Sequence, residues 1–246
     1  MPESKNEGTK RVAFGNYYLL NPAEGWAAVC ISKNACTSLK AAVLSANGRP
    51  VPATAYDVHV AIGYEESEFL RPVDAGPPPG VHVFAVWRDP IDRWYSAIAF
   101  LRQRDVLVPR RQVLGLANAT RIRLSLGQAV AATQNHLARE PVECDEHLRR
   151  QHDYCDFSTL DSVVEVANLN AFFVQNGWQP LPHLNEASRQ IERYDKISAR
   201  IAQLYEADFA LFDRADPTQP GPSDVSHTGV AGLRTTTAHD VGNVGS

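Results

Sequence analysis

The chain is expected to fold as an α/β protein with a central parallel sheet flanked by helices. Two strand-to-helix junctions and the composition point there. The apolar run 27–31 is short enough for a buried strand; it breaks at Ser32, crosses a loop of small residues and enters a helical pattern at Thr37. A second buried-strand pattern, 81–87, runs directly into Arg88, Asp89 and Pro90. At 246 residues and 44% hydrophobic, the chain is long enough to bury one sizeable core.

The first junction carries the most chemistry. A helix N-terminus presents unpaired N–H groups and the positive end of the helix dipole, and Lys33 adds a full charge. Strand, lysine-bearing loop and helix together make an anion site, with phosphate the usual occupant. The triphosphatase pattern G-x-x-x-x-G-K-[ST] does not fit: Lys33 lies four residues before Thr37, and the loop has no glycine. A surface lysine in an ordinary strand-to-helix turn gives the same local pattern, so the loop alone does not decide.

At the second junction Asp89 is a good N-cap and Pro90 suits the first helical position. Ile91, Trp94, Tyr95, Ile98, Phe100 and Leu101 follow at roughly helical spacing. Arg88 therefore falls at the C-terminal end of a strand, where open sheets collect ligands. Ser96, about two turns into the helix, is positioned to approach the same anion.

Together the two junctions resemble the carbohydrate-type (family 2) sulfotransferases. That family carries P-K-x-x-C/G-T-[ST] and, later, R-D-P-x-x-R-x-x-S. This chain reads Ser32-Lys33-Asn34-Ala35-Cys36-Thr37-Ser38 and Arg88-Asp89-Pro90-Ile91-Asp92-Arg93-Trp94-Tyr95-Ser96, with serine in place of the proline. Asp145, His147 and Gln151 resemble its D-x-H-x-x-x-Q segment. Residues 181–188, around His183, are similar to its L-P-H-x-N-x-S stretch, and Tyr205 with Asp208 to its closing helix. The likeness covers about residues 25–213. It implies a P-loop-like three-layer fold and transfer of a sulfuryl group from 3′-phosphoadenosine-5′-phosphosulfate to a hydroxyl acceptor, a carbohydrate or a lipid-linked or other small metabolite, without a metal. It further implies that Lys33, Asn34, Ala35, Cys36, Thr37 and Ser38 wrap the 5′-phosphosulfate and that Arg88 and Ser96 hold the 3′-phosphate. Lys33 would also stabilise the charge left on the departing phosphate, while Arg93 braces the helix or a neighbouring carboxylate.

A hydroxyl acceptor needs a base, and histidine titrates in the useful range. Of eight histidines, His227 and His239 fall in a Pro/Gly/Ser/Thr-rich tail, His82 on a strand, and His147 and His183 in motifs that more often pack or orient loops. His59 lies between the two phosphate motifs, where the heparan 2-O-sulfotransferase type carries a similar G-H-V with its proposed base. The plain alternative is a histidine satisfied on a half-buried strand; if the base is elsewhere, His147, Asp57 or Glu65 are next.

The remaining sequence sets the frame. Residues 1–24 are expected to form an entry segment that either adds a strand or wraps the surface, 25–213 the catalytic domain and 214–246 a disordered tail. Residues 71–80 are expected to form a loop; helical patterns cover about 90–104, 120–139 and 194–211, and a strand near 162–166 leads into a helix ending at Gly177. Residues 88–151 hold eleven arginines and no lysine against seven acids, in a chain of net charge −4. Arginine forks suit phosphate and sulfate; Arg110, Arg111, Arg121 and Arg123 read equally well as solvated helix faces. Acidity disfavours nucleic acid. No apolar run is long enough for a membrane span, and the polar N-terminus excludes a signal peptide, so a cytoplasmic, bacterial enzyme with free thiols is expected. Cys144 and Cys155 would bridge only in a secreted protein. Metal-ligand spacings are missing. Two other readings remain open: a non-catalytic binder of adenosine 3′,5′-bisphosphate, and a nucleotide-dependent phosphotransferase on a similar frame. Acceptor identity and oligomeric state are not legible.

Overall fold

The computed structural model describes residues 16–62, 67–101, 125–182 and 191–212, all within one unit, Met1–Ala215. The expectations for Glu65, His183, the arginines at 110, 111, 121 and 123, and the tail fall outside the described residues.

Five strands form one mixed sheet in the order β3-β1-β2-β4-β5. Strand β1 (Tyr17–Asn21) turns back through Gly25 onto β2 (Trp26–Val29), and the two pair antiparallel with Tyr18 opposite Val29. Gly25 has φ 72°, in the left-handed region that glycine enters at little cost. β3 (Leu70–Pro72) adds antiparallel to the outer side of β1. Proline lacks the ladder N–H, which an edge strand tolerates. β4 (His82–Trp87) and β5 (Ser162–Glu165) continue from β2 in parallel, with Ala27 opposite Val83 and Ala85 opposite Val163. The parallel part is thus β2, β4 and β5, and the described part of the entry segment adds β1 to the sheet.

Alternation sorts the strand side chains into two cores. Leu19, Trp26, Ala28, Phe84 and Val86 meet α1 (Cys36–Ala46), α2 (Ala55–Ile62) and α5 (Leu169–Gln175) through Leu39, Val43, Val58 and Phe173. Tyr18, Ala27, Val29, Val83 and Ala85 pack on the other face against Tyr154 and, at its margin, Phe157. A third cluster joins α3 (Pro90–Leu101), α4 (Leu126–Leu137) and α6 (Asp195–Leu204) through Trp94, Ile98, Ala129, Ala132 and Ile201. The pattern expected over 194–211 divides at Tyr205 into α6 and α7 (Glu206–Phe212).

Two local departures from expectation have clear causes. Residues 55–62 form a helix, so His59 is helical rather than on a strand. Thr54 is its cap: its hydroxyl accepts from the Asp57 N–H at 3.1 Å and donates to the Asp57 carboxylate at 2.7 Å. Residues 71–75 are not simply loop, since Arg71 and Pro72 belong to β3 and Val73–Ala75 form a 3₁₀ turn. The capping at α3 follows expectation, with the Asp89 carboxylate accepting from the Asp92 N–H at 2.8 Å. Among the described residues no helix is long and apolar enough to cross a membrane.

Candidate functional site

The chemistry-bearing residues gather where the parallel strands β2 and β4 end. Leaving β2, the backbone is left-handed at Lys33 (φ 70°) and at Ala35 (φ 59°), the residue before α1. Left-handed residues alternating with ordinary ones turn backbone N–H groups towards one hollow; the Asn34 N–H is taken by the Ile31 carbonyl at 3.2 Å. Each left-handed residue costs about 1–2 kcal/mol when it carries a Cβ, so the surroundings must hold the loop.

The clamp is visible. Asn34 is 1% exposed, and its amide donates to the Val86 carbonyl on β4 at 2.7 Å and to Gln151 Oε1 at 2.5 Å. Gln151, fully buried, grips the second junction as well: its Oε1 accepts from the Arg88 N–H at 3.2 Å, and its Nε2 donates to the Arg88 carbonyl at 2.8 Å. Gln151 is set in turn by its own N–H, which donates to the buried Asp208 carboxylate at 2.8 Å. Arg88 Nη1 donates to the Lys33 carbonyl at 3.1 Å. One amide side chain thus ties together two junctions whose Lys33 and Arg88 lie 55 residues apart in sequence.

Arg88 is half-buried, and burial is the main cause lowering its pKa; Arg93 and Arg193 add to that effect, while Asp92 and Asp89 oppose it. A guanidinium stays protonated in proteins. Arg88 thus presents a partly desolvated positive charge at the strand end. Arg93 plays a different part. It is 1% exposed, and its three nitrogens donate to the carbonyls of Ser32 (2.9 Å), Arg149 (2.7 Å) and Glu146 (3.1 Å). Its partners are loop carbonyls, not the neighbouring carboxylate that the sequence suggests as one alternative. Ser96 is half-buried in α3, and among the described residues no hydrogen bond joins it to Arg88.

His59 reaches back from α2 to the loop. Its Nε2 lies 3.2 Å from the Thr37 hydroxyl and its Nδ1 2.9 Å from Lys40 Nζ. A lysine ammonium only donates. Nδ1 is therefore the acceptor, and the ring proton sits on Nε2. Lys40 is a member of this group that the sequence reading did not single out; its place one turn after Cys36 and Thr37, on the same helix, is the available signal.

Lys33 Nζ lies 4.7 Å from the centre of the Phe100 ring, and Phe100 stacks on His147 at 4.9 Å with 15° between planes. His147 Nδ1 contacts Asp145 at 3.0 Å and Glu146 at 3.2 Å. Burial works against charge on His147, but these two carboxylates outweigh it and raise its pKa. Asp145, Glu146 and His147 also offer one ligand atom each within 4.8 Å of one another, the group best able to hold a metal among the described residues. Contacts of His147 with both carboxylates account for that closeness. Residues 145–151 and 205–208 support the site: Asp208 also accepts from the His152 N–H at 3.0 Å and lies 2.8 Å from His152 Nδ1, and the Tyr205 hydroxyl donates to the Leu148 carbonyl at 2.5 Å.

Compared with family models, curated proteins and solved structures, the chain gives no significant match to any of them.

Proposed function

We propose that the protein is a sulfotransferase of the carbohydrate type, P-loop-like in architecture, moving a sulfuryl group from 3′-phosphoadenosine-5′-phosphosulfate to a hydroxyl on a carbohydrate or a lipid-linked or other small metabolite. One observation carries the reading: two donor-rich junctions, at Lys33–Ser38 and at Arg88, stand at the C-terminal ends of adjacent parallel strands and are bridged by Gln151 and by the Arg88–Lys33 hydrogen bond. Open α/β sheets bind ligands at that edge. A bisphosphorylated nucleotide asks for two anion sites, and the donor set at both junctions fits it.

The cofactor supplies the activated sulfuryl group. In this reading the N–H groups at the start of α1, with Lys33, Thr37 and Ser38, hold its 5′ end, and Arg88 with Ser96 holds the 3′-phosphate. Lys33 neutralises the charge that grows on the leaving oxygen, because in-line transfer of this kind rests on positioning and electrostatics. His59 takes the acceptor's proton. With the Lys40 ammonium donating to Nδ1, that nitrogen is the basic one, so the acceptor hydroxyl would reach the side that Lys40 now covers. A cytoplasmic setting belongs to the same proposal.

Thermal unfolding tests it. Adenosine 3′,5′-bisphosphate at about 100-fold over its dissociation constant stabilises by about 2.7 kcal/mol. Magnesium ATP should do much less, having no 3′-phosphate for Arg88. Equal shifts with the two nucleotides would sink the reading.

A further inference from the structure

Lys40 stands beside the phosphate loop on α1, one turn after Thr37 on the same helix face, and is half-buried. Among the described residues no carboxylate lies within ion-pair distance of it. The more exposed Arg49 and Arg193 each hold one, Glu68 at 2.6 Å and Asp92 at 2.7 Å. The Lys40 ammonium donates instead to an uncharged acceptor, His59 Nδ1, at 2.9 Å. The other ring nitrogen lies 3.2 Å from the Thr37 hydroxyl. A single imidazole therefore spans from this cation to the loop.

We propose that Lys40 has two alternative partners. In the free protein it caps the basic nitrogen of His59; in the loaded protein it binds the 5′ end of the cofactor and leaves that nitrogen open to the acceptor hydroxyl. The inference rests on reading the loop as the cofactor site and His59 as the base. Lys40 is then a further cofactor-binding residue and, acting through His59, a positioning residue for proton removal.

Charge drives the exchange. The imidazole nitrogen offers the ammonium a lone pair and no net charge, whereas the cofactor's 5′ end brings full negative charge. Hydrogen bonds between two ionised partners are the stronger kind. Lysine suits a change of partner because its ammonium is a compact charge with three donors on a flexible stem. His59 itself need not move. With its ring proton on Nε2 and that nitrogen facing Thr37, the ring keeps its orientation when Lys40 leaves. The lone pair of Nδ1 then points where the ammonium stood, and a hydroxyl placed there donates to it. As the acceptor oxygen bonds to sulfur, the bond from sulfur to the bridging oxygen breaks. The leaving phosphate keeps that electron pair, and Nδ1 takes the hydroxyl proton. The base is thus open only once the cofactor is seated.

The test is long-range proton–nitrogen NMR of the full chain carrying isotope-labelled histidine, with the His59 ring assigned by its loss in His59→Asn. In the free protein Nε2 should carry the proton and Nδ1 should resonate as a hydrogen-bond acceptor. Adenosine 3′,5′-bisphosphate should move Nδ1 to the position of an unbonded imidazole nitrogen. Adenosine 3′-monophosphate, which has no 5′-phosphate, should not. Lys40→Met should show the unbonded position from the start and bind the bisphosphate about 10–100-fold more weakly by calorimetry, the worth of one charge-assisted contact. Lys40→Arg should regain most of that affinity. Bisphosphate that binds the wild type without moving Nδ1, or that binds Lys40→Met as tightly, overturns the exchange and leaves the cofactor reading standing. No binding to the wild type overturns the cofactor reading, and the exchange with it. The wild-type titration needs no variant and decides the matter should Lys40→Met fail to fold.

Discussion

Replacing Arg93 by methionine separates bracing from binding. In the structure Arg93 carries three hydrogen bonds to the carbonyls of Ser32, Arg149 and Glu146 and is 1% exposed, so methionine keeps most of the packing volume and removes every donor. Orphaning a buried acceptor costs about 1–3 kcal/mol, a gross loss of about 3–9 kcal/mol for three. Removing a buried cation also removes its desolvation penalty, several kcal/mol in the opposite direction. The net expectation is about 2–4 kcal/mol of lost stability, or a fall of about 1–2 M in the urea midpoint for m near 2–3 kcal/mol/M. Bisphosphate affinity per folded molecule should change by less than about threefold, because every nitrogen of Arg93 is turned to a loop. An unchanged midpoint together with lost affinity would falsify this and make Arg93 a ligand contact.

Arg88→Ala should weaken bisphosphate binding by about 10–100-fold, the worth of one charge-assisted contact; calorimetry with an analogue lacking the 3′-phosphate should show a much smaller loss, and an equal loss removes the assignment. His59→Ala should leave bisphosphate binding nearly intact while lowering turnover on a hydroxyl acceptor by about 10²–10⁴-fold; near-normal turnover moves the base elsewhere, with His147 the first place to look. His147 and His152 have pKa values raised in the folded state, His147 by Asp145 and Glu146 against burial and His152 first by Asp208. Their contribution to stability is therefore fully present below the ordinary imidazole value of about 6.5 and is lost as pH rises through the folded values. Urea midpoints should fall from pH 6 to pH 9 more steeply in the wild type than in His147→Gln, and parallel curves contradict the assignment.

Much of the frame was legible because it obeys short-range rules. β4 and α3 follow from a continuous apolar run ending at Arg-Asp-Pro, and α4 starts with a capping box between Ser125 and Gln128. β5 and α5 also lie close to where the pattern sets them. α2 was missed because Val58, Val60 and Ile62 alternate like a strand, whereas the signal that mattered was the pair Thr54 and Asp57 at cap spacing. In the antiparallel half of the sheet a strand from the entry segment was one of two readings, whereas β3 was missed because it is three residues ending in proline. In the site, residue types mark the donors, but contacts over long sequence separation, such as Gln151 with Asn34 and Arg88, leave no local pattern. Lys40 was passed over because a lysine on a helix ordinarily reads as a solvated face.

The Gln151 amide makes the separation between the two junctions a fixed property of the scaffold rather than of any bound molecule. A ligand bearing two anionic groups at that spacing gains from both at once, the second contact forming at high effective concentration after the first. A ligand with one such group, or with two at another spacing, gains from a single junction only. On the proposed function the protein would act as a caliper, set by a side chain that lies between the two junctions and sorting nucleotides by the distance between their charges before any base is inspected.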